Sequence, residues 1–455
     1  MPDTRYAAEQ LTRDLWRGLG GGDPELDGLR IADTGDVLPS RFLVTPGATA
    51  SVAAATLAVA GFWRDRGGPA GEARVATGEV GHAFRSERLV ERVGEPLPPL
   101  RDPVAGGYPT ADGWIRLHTN FAAHRRAALA VLGATEQRDQ VAAAVSRWPA
   151  VALEQAVLEA GGAAAALRSI DDWRRSPQAV ELRKLPLVSV AQVAAADPPA
   201  VVPGPAPLAG VRVLDLTRVI AGPVCGRFLA AYGAEVLRID GPALEDAPAL
   251  IADTTVGKRC AQLDLGTSGG RAQLESLLGQ ADVVLMGYRP GALERHGYAP
   301  TQLARGRPGI VVGLLSAYGR VGPWGSRRGF DSLVQLATGL ADEGRDGGPP
   351  VPLPAQALDH ASGYLLAYGV VTALRRRRAG GGSWATAVSL ARTAGWLESL
   401  GRTVPAAAAE VGKELVELTG PLGRTRHVPP GQLAGYRPQW SSPPRPLGFD
   451  PPRWA

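Results

Sequence analysis

The stretch AQALDHASGYLLAYGVVTALRRRR, residues 355–378, places one acid, Asp359, at the first turn of a helix that ends in four arginines. As an N-cap, Asp359 accepts hydrogen bonds from backbone N–H groups two or three residues on. The same geometry suits chemistry. A helix dipole and backbone donors would keep the acid ionised. An ionised, partly desolvated carboxylate can be a nucleophile toward an acyl group.

Four turns upstream carry groups that could hold a ligand. In TRVIAGPVCGRF (217–228), Ala221-Gly222-Pro223 lets backbone approach a ligand at a helix start, or makes a plain tight βα turn. It is not GxGxxG, so a dinucleotide site is unsupported. In GKRCAQLDL (257–265), Lys258 and Arg259 could bind phosphate, or lie in a solvated loop. In MGYRPGALERHG (286–297), Tyr288, Arg289 and Arg295 could meet an anion or stack on a base. The long segment 316–339 contains Tyr318 and Gly319 near its start and is irregular up to Phe330, which favours a functional loop.

Other chemistries fare poorly. The six histidines show no metal-ligand spacing with carboxylates, and no GxSxG elbow occurs, so no metal is expected. His360 beside Asp359 would point in another direction and reads as a satisfied polar residue.

The elements that would position these groups alternate after residue 207. VRVLDLT, EVLRID, CAQLDL, ADVVLMG and GIVVGLLSAYG read as strands, with helices between them. That pattern predicts an α/β fold with a doubly wound parallel (Rossmann-like) sheet, whose ligands bind at the carboxyl ends of the strands, after Thr217, Ile239, Met286 and Ser316. Residues 108–198 begin with the strand GWIRLHT and continue as helices at about 121–133, 135–147 and 150–161, a smaller α/β domain. A Pro/Ala-rich linker covers 199–206. PGATASVAAATLAVAGFWRDRGG (46–68) lines up with DHASGYLLAYGVVTALRRRRAGG (359–381), with Pro46 where Asp359 stands, either a faint internal repeat or a chance likeness of Ala-rich helices.

The 455 residues suggest two or three domains. Only three of 49 basic residues are lysines (Lys184, Lys258, Lys413), and the arginines are spread along the chain. A net charge of +5 so dispersed does not argue for nucleic acid. Two cysteines make no disulfide framework and fit a reducing cytoplasm. No signal peptide is expected, nor any apolar segment of membrane-span length.

These pieces, in this order, resemble family III CoA-transferases, the group that includes formyl-CoA and carnitine CoA-transferases and α-methylacyl-CoA racemase. The carrying motifs are PLAGVRVLDLTRVIAGPVCGRFLAAYGAEVLRID, GKRCAQLDL, ADVVLMGYRPGALERHGY, IVVGLLSAYGRVGPWGSRRGFDSLVQLATGL and DHASGYLLAYGVVTALRRRRAGGG, spanning about 207–400. PPRPLGFDPP resembles the family's closing segment, and 108–198 its smaller domain, here placed first. The resemblance implies a rearranged tandem duplication. Residues 1–107 hold a remnant of a first nucleophile-domain copy plus a connection, 207–400 the CoA-binding and nucleophile domain, and 401–455 a returning tail.

The resemblance also implies roles. Asp359 would attack an acyl-CoA thioester, forming an aspartyl anhydride and then an aspartyl-CoA thioester that activates an acceptor carboxylic acid. Coenzyme A would be contacted by Ala221, Gly222, Lys258, Arg259, Tyr288, Arg289, Arg295, Tyr318 and Gly319. Gly106 and Gly107 would form a loop that excludes water. No cofactor would be bound permanently, the CoA thioester being substrate. The segment GFD, with Phe330 where the group's racemases carry His, favours transferase over racemase. Gly287 for the family's Asn and TVGKRC for NRGKRS imply altered CoA contacts, which keeps a non-catalytic CoA-binding homologue open. A homodimer is expected.

Overall fold

In the computed structural model, the described residues are all except 1–3, 70, 101, 201–202, 243–246, 413 and 430. The main sheet has seven strands: β1 (Ser189–Ala194), β2 (Arg212–Leu216), β3 (Glu235–Asp240), β4 (Lys258–Gln262), β5 (Val283–Met286), β6 (Val311–Ser316) and β7 (Ser383–Ser389). Their order is β4-β3-β2-β5-β6-β7-β1. All neighbours pair in parallel except β7 and β1. The mostly parallel α/β sheet agrees with the expected fold class. The central strands β2, β5 and β6 are short runs rich in Val and Leu and almost wholly buried, as a sheet covered on both faces requires.

Around the sheet lie α1 (Val44–Asp65), α2 (Thr77–Ala83), α3 (Ala221–Ala231), α4 (Asp331–Ala337), α5 (Ala357–Gly380) and α6 (Leu390–Ser399). Helix α5 is the centre of the main core: Leu358, Tyr364, Leu365, Leu366, Val370 and Val371 are all fully buried. Each such leucine contributes about 1.5–3 kcal/mol by leaving water. Two glycines let α5 sit this deep. A Cβ on Gly369 would lie 2.1 Å from Thr386 Oγ1 on β7. A Cβ on Gly363 would lie 2.5 Å from the Ala221 carbonyl oxygen at the start of α3. Gly363 is four residues beyond Asp359, on the same helix face, so this approach brings the turn after β2 over Asp359.

The N-terminal segment builds a smaller parallel pair, Leu29–Ala32 with Ala73–Ala76, extended by antiparallel Gln432–Leu433. Helix α1 lies along α5, the most extensive helix pair. Arg375 clamps its end, donating to Asp65 (2.7 Å) and Glu25 (2.6 Å). Helix α1 corrects one expectation. With 22 residues and a mean hydropathy of 1.3 it is long and apolar enough to cross a membrane, and all of that apolar window is buried in the protein. Its Ala, Gly, Val and Thr composition has no polar face because every face is packed.

The smaller unit pairs Gly106–Pro109, Trp114–Leu117 and Ala164–Ala166, backed by Ala122–Leu132, Arg138–Val145 and Ala150–Glu159 around a separate core. The boundary expected at 198 needs adjustment. Strand β1 is the edge of the main sheet, because β7 offers it an unpaired side. Of the expected linker, 201 and 202 lie outside the described residues.

Replacing Gly363 with Ala should push α3 away from α5, costing about 1–3 kcal/mol in urea or thermal unfolding. A variant as stable as wild type would show that this contact does not seat the turn.

Candidate functional site

Asp359 is the third residue of α5 and only 6% exposed. It does not cap its own helix. Asp331, the first residue of α4, does so from outside: its Oδ2 accepts from the N–H groups of Leu358 (2.8 Å) and Asp359 (2.9 Å). The Gln335 amide donates to the other Asp331 oxygen and itself accepts from the Leu353 N–H at 2.8 Å. Asp331 thereby meets the donor demand at the helix start and leaves the Asp359 carboxylate free to face open space. Among the described residues no group donates to the Asp359 carboxylate oxygens.

This overturns the expected electrostatics. Burial, then the nearby charges of Asp331 and Glu87, hold the Asp359 carboxyl well above the ordinary aspartate value. Burial also raises Asp331, to about 6, against the opposing pull of the backbone and Gln335 donors. The helix start does not hold Asp359 at the ordinary aspartate value, because its nearest N–H groups are spent on Asp331.

Asp359 lines two cavities at once. One is small, about 90 Å³, walled by Leu100, Val219, Ile220, Leu250, Phe330 and Glu87, among others. The other is a cleft of about 560 Å³ along the carboxyl ends of β2, β5 and β6. Five arginines line the cleft, Arg126, Arg218, Arg289, Arg295 and Arg328, against one acid, Asp359. Arg328 is held below its ordinary value by burial and by Arg289 beside it. Such a concentration of positive charge suits a polyanion.

Of the residues singled out from sequence, Ala221, Tyr288, Arg289, Arg295 and Asp359 meet in this cleft. Others do not. Lys258 is wholly buried, its ammonium donating to Asp215 (2.7 Å) and the Pro223 carbonyl (3.0 Å), with burial pulling it below its ordinary value. It stands on β4 facing α3, so it is a structural ion pair out of a phosphate's reach. Arg259 donates to the Arg453 carbonyl and holds the C-terminal segment. Gly222 packs on Thr217, where a Cβ would lie 2.3 Å from the side chain. Tyr318 is buried against Trp324, ring centroids 5.1 Å apart. Gly319 turns at φ +87 against Leu182. Gly106 and Gly107 are strand residues paired with Leu117 and Arg116, and only their neighbour Ala105 reaches the small cavity. The turn after β3 reaches that cavity through Ala247 and Leu250, and 243–246 lie outside the described residues. His360, expected to be satisfied, pairs with Glu87 (3.0 Å) and stacks on Phe84.

Several site residues escaped the sequence reading. Val219 lines both cavities with φ +68, a conformation that costs a β-branched residue about 1–3 kcal/mol. Nothing in its residue type signals this. Its neighbour Arg218 has a buried Nε with no hydrogen-bond partner and lies over the Phe121 ring. His118, from the smaller unit, stacks face to face on Phe330 with centroids 3.6 Å apart. Burial pushes His118 down to about 3, so its imidazole is neutral at physiological pH. His124 is pushed down to about 4 by burial and then by Arg328, Arg218 and Arg289. Among the described residues no group of three or more His, Cys, Asp or Glu could hold a metal ion.

Comparison with known proteins finds similarity to one family over the second half of the chain. Residues 208–415 match the sequence model described as CoA-transferase family III. That part of the chain is similar to CoA-transferase family III. A probable fatty acyl-CoA transferase of Mycobacterium tuberculosis, Rv3272, is 36% identical over 194 residues, 38% of this chain and 48% of that protein. An acyl-CoA transferase of Gibberella moniliformis is 33% identical over 309 residues, 61% of this chain and 53% of that protein. A formyl-CoA:oxalate CoA-transferase of Rhodopseudomonas palustris is 32% identical over 183 residues, 37% of this chain and 43% of that protein. The crystal structure of Rv3272 in an orthorhombic form covers 43% of this chain and 58% of its own, at 33% identity and a TM-score of 0.40. The chain thus spans about half the length of the curated relatives it matches.

The raised value of Asp359 makes a signed prediction. An acid whose folded-state value is raised favours folding below its unfolded value and loses that contribution as pH rises through the raised one. Asp359→Asn should therefore be more stable than wild type at pH 8, and the gain should vanish near pH 4, read by thermal melts. An asparagine variant less stable at pH 8 would show that the carboxylate is stabilised where it lies.

Proposed function

We propose that the chain is a CoA-transferase that moves coenzyme A from an acyl-CoA thioester to a carboxylic acid through Asp359. The observation that carries this reading is a buried carboxylate, without hydrogen-bond donors, at the junction of a small cavity and a large arginine-lined cleft. The cleft suits the phosphates of the CoA moiety, and the small cavity suits the acyl group.

In this reading the Asp359 carboxylate attacks the thioester carbonyl, a mixed anhydride forms and the C–S bond breaks, releasing CoA thiolate. The thiolate attacks the aspartyl carbonyl of the anhydride, which expels the donor acid and leaves an aspartyl-CoA thioester. The acceptor carboxylate attacks that thioester, giving a new anhydride and free thiolate. Thiolate attack on the acceptor's carbonyl then yields the new acyl-CoA and restores Asp359. Burial conserves the activated acyl bond by limiting water. A carboxylate raised by its surroundings is more basic than ordinary aspartate and correspondingly more nucleophilic once ionised.

A 2-methylacyl-CoA racemase is the second reading, because His118 brings an imidazole against Phe330 at the position where the group's racemases carry histidine. Its strongly lowered basicity makes it a poor proton acceptor, so transfer is favoured. The cytoplasm remains the proposed location, on the cysteine usage.

Two outcomes are expected. Exchange of CoA between an acyl-CoA and an acid should follow ping-pong kinetics and fall at least about a thousandfold in Asp359→Ala. Exchange undiminished in that variant, or loss of α-deuterium from a 2-methylacyl-CoA, would reject the transferase mechanism. Arg328→Ala or Arg218→Ala should raise KM for acyl-CoA about tenfold or more, with a weaker salt dependence, since bonds to charged groups contribute about 1.5–3 kcal/mol. Unchanged KM in both would move the CoA phosphates elsewhere.

A further inference from the structure

We infer that the N-terminal segment 29–89 is a docked second copy of the β6-to-α6 unit, emptied of chemistry, which completes the Asp359 site within the same chain, so that one chain carries one site and needs no second subunit. The repeat seen in sequence is a repeat in structure. At the constant offset that takes Pro46 to Asp359, the first residue of α1, Val44, falls on Ala357, the first residue of α5. The residues just before them, Leu43 and Gln356, have nearly the same backbone angles, φ −75, ψ 61 and φ −75, ψ 62. The offset continues beyond the helices. Strand Ala73–Ala76 falls on the last four residues of β7, and Thr77, which starts α2, falls on Leu390, which starts α6. The parallel partners correspond as well: Ile31 lies opposite Val75 as Leu315 lies opposite Val388.

The two copies face each other with exchanged contacts. His360, at the start of α5, stacks on Phe84 and pairs with Glu87 from the first copy. The offset counterparts of these three residues are Gly47, Leu397 and Leu400. They also meet: a Cβ on Gly47 would lie 3.5 Å from Leu400 Cδ1 and 3.7 Å from Leu397 Cδ1. Each copy thus sets its helix start against the post-strand helix region of the other, which is the relation of a two-fold axis. Asp36 accepts from the Thr45 hydroxyl (2.5 Å), so an acid also meets the start of α1, though through a side chain and not through backbone N–H groups as Asp331 does.

The chemistry is not shared equally. Where one copy has Asp359, His360 and the contact to Glu87, the other has Pro46, Gly47 and Leu400. The second position therefore lacks each polar group of the first. The first copy gives Glu87 and Arg88 to the wall of the cavity beside Asp359. The apolar surface through which two such copies would associate is already covered in the chain, since α1 is buried along its length against α5. Among the described residues the exposed large apolar side chains, such as Tyr6, Val151, Val351, Val404 and Phe449, come from separate segments. The inference departs from the homodimer expected from the family resemblance.

The test has arms that do not depend on the proposed activity. Light scattering on the full-length chain across a dilution series should give 47.4 kDa throughout, and calorimetry with an acyl-CoA should give one site per chain. A mass of twice that at every dilution, or two sites per chain, would overturn the inference. A third arm rests on the transferase reading: Glu87→Ala and Asp359→Asn chains, unfolded together and refolded as a mixture, should show no more exchange than either alone. Recovered activity would show that the first copy acts on another chain, and would overturn it. Glu87→Gln replaces the alanine variant if that one does not fold.

Discussion

The site turns on one carboxylate answering another. Asp331 accepts from the two backbone N–H groups that a helix-start acid would ordinarily claim. Asp359 is left buried, without donors and beside two negative neighbours. A pair of groups with similar chemistry is thus divided by environment: one holds the helix and the other faces the cavities. Everything around the pair serves that division. Gln335 fixes Asp331, Gly363 lets the turn after β2 close over Asp359, and the strained Val219 forms part of the wall on both sides.

Charge is arranged in opposition across Asp359. Behind it stand Asp331 and Glu87, which disfavour its ionisation. In front lie five arginines in the cleft, which favour a bound anion there. The cost of keeping the acid buried is the kind of stability sacrificed at working sites.

Much of this was legible in the sequence because it is periodic. Strands β2, β3, β5 and β6 are apolar runs between turn signals, and the helix starting near Asp359 follows its own small-residue pattern. The acid itself, the arginines after β5 and the repeat with Pro46 could be named from residue types and spacing. What stayed hidden depends on three-dimensional neighbours. Lys258 reads as a surface cation until β4 is seen to aim it at Asp215. Asp359 reads as a cap until Asp331, from another helix, is seen to do the capping. Val219's backbone angle and the stacking of His118 on Phe330 come from the approach of separate units, which no local pattern encodes. Helix α1 reads as unremarkable in length, yet only its burial on every face explains its composition.

The most direct measurement is acyl capture at Asp359. The protein is incubated with an acyl-CoA, treated with hydroxylamine, digested and examined by mass spectrometry. The account predicts an aspartyl hydroxamate on the peptide containing Asp359 and none in the Asp359→Asn variant. A productive CoA exchange reaction with an unmodified Asp359 peptide, or with the hydroxamate on another acid such as Asp331 or Glu87, would contradict it.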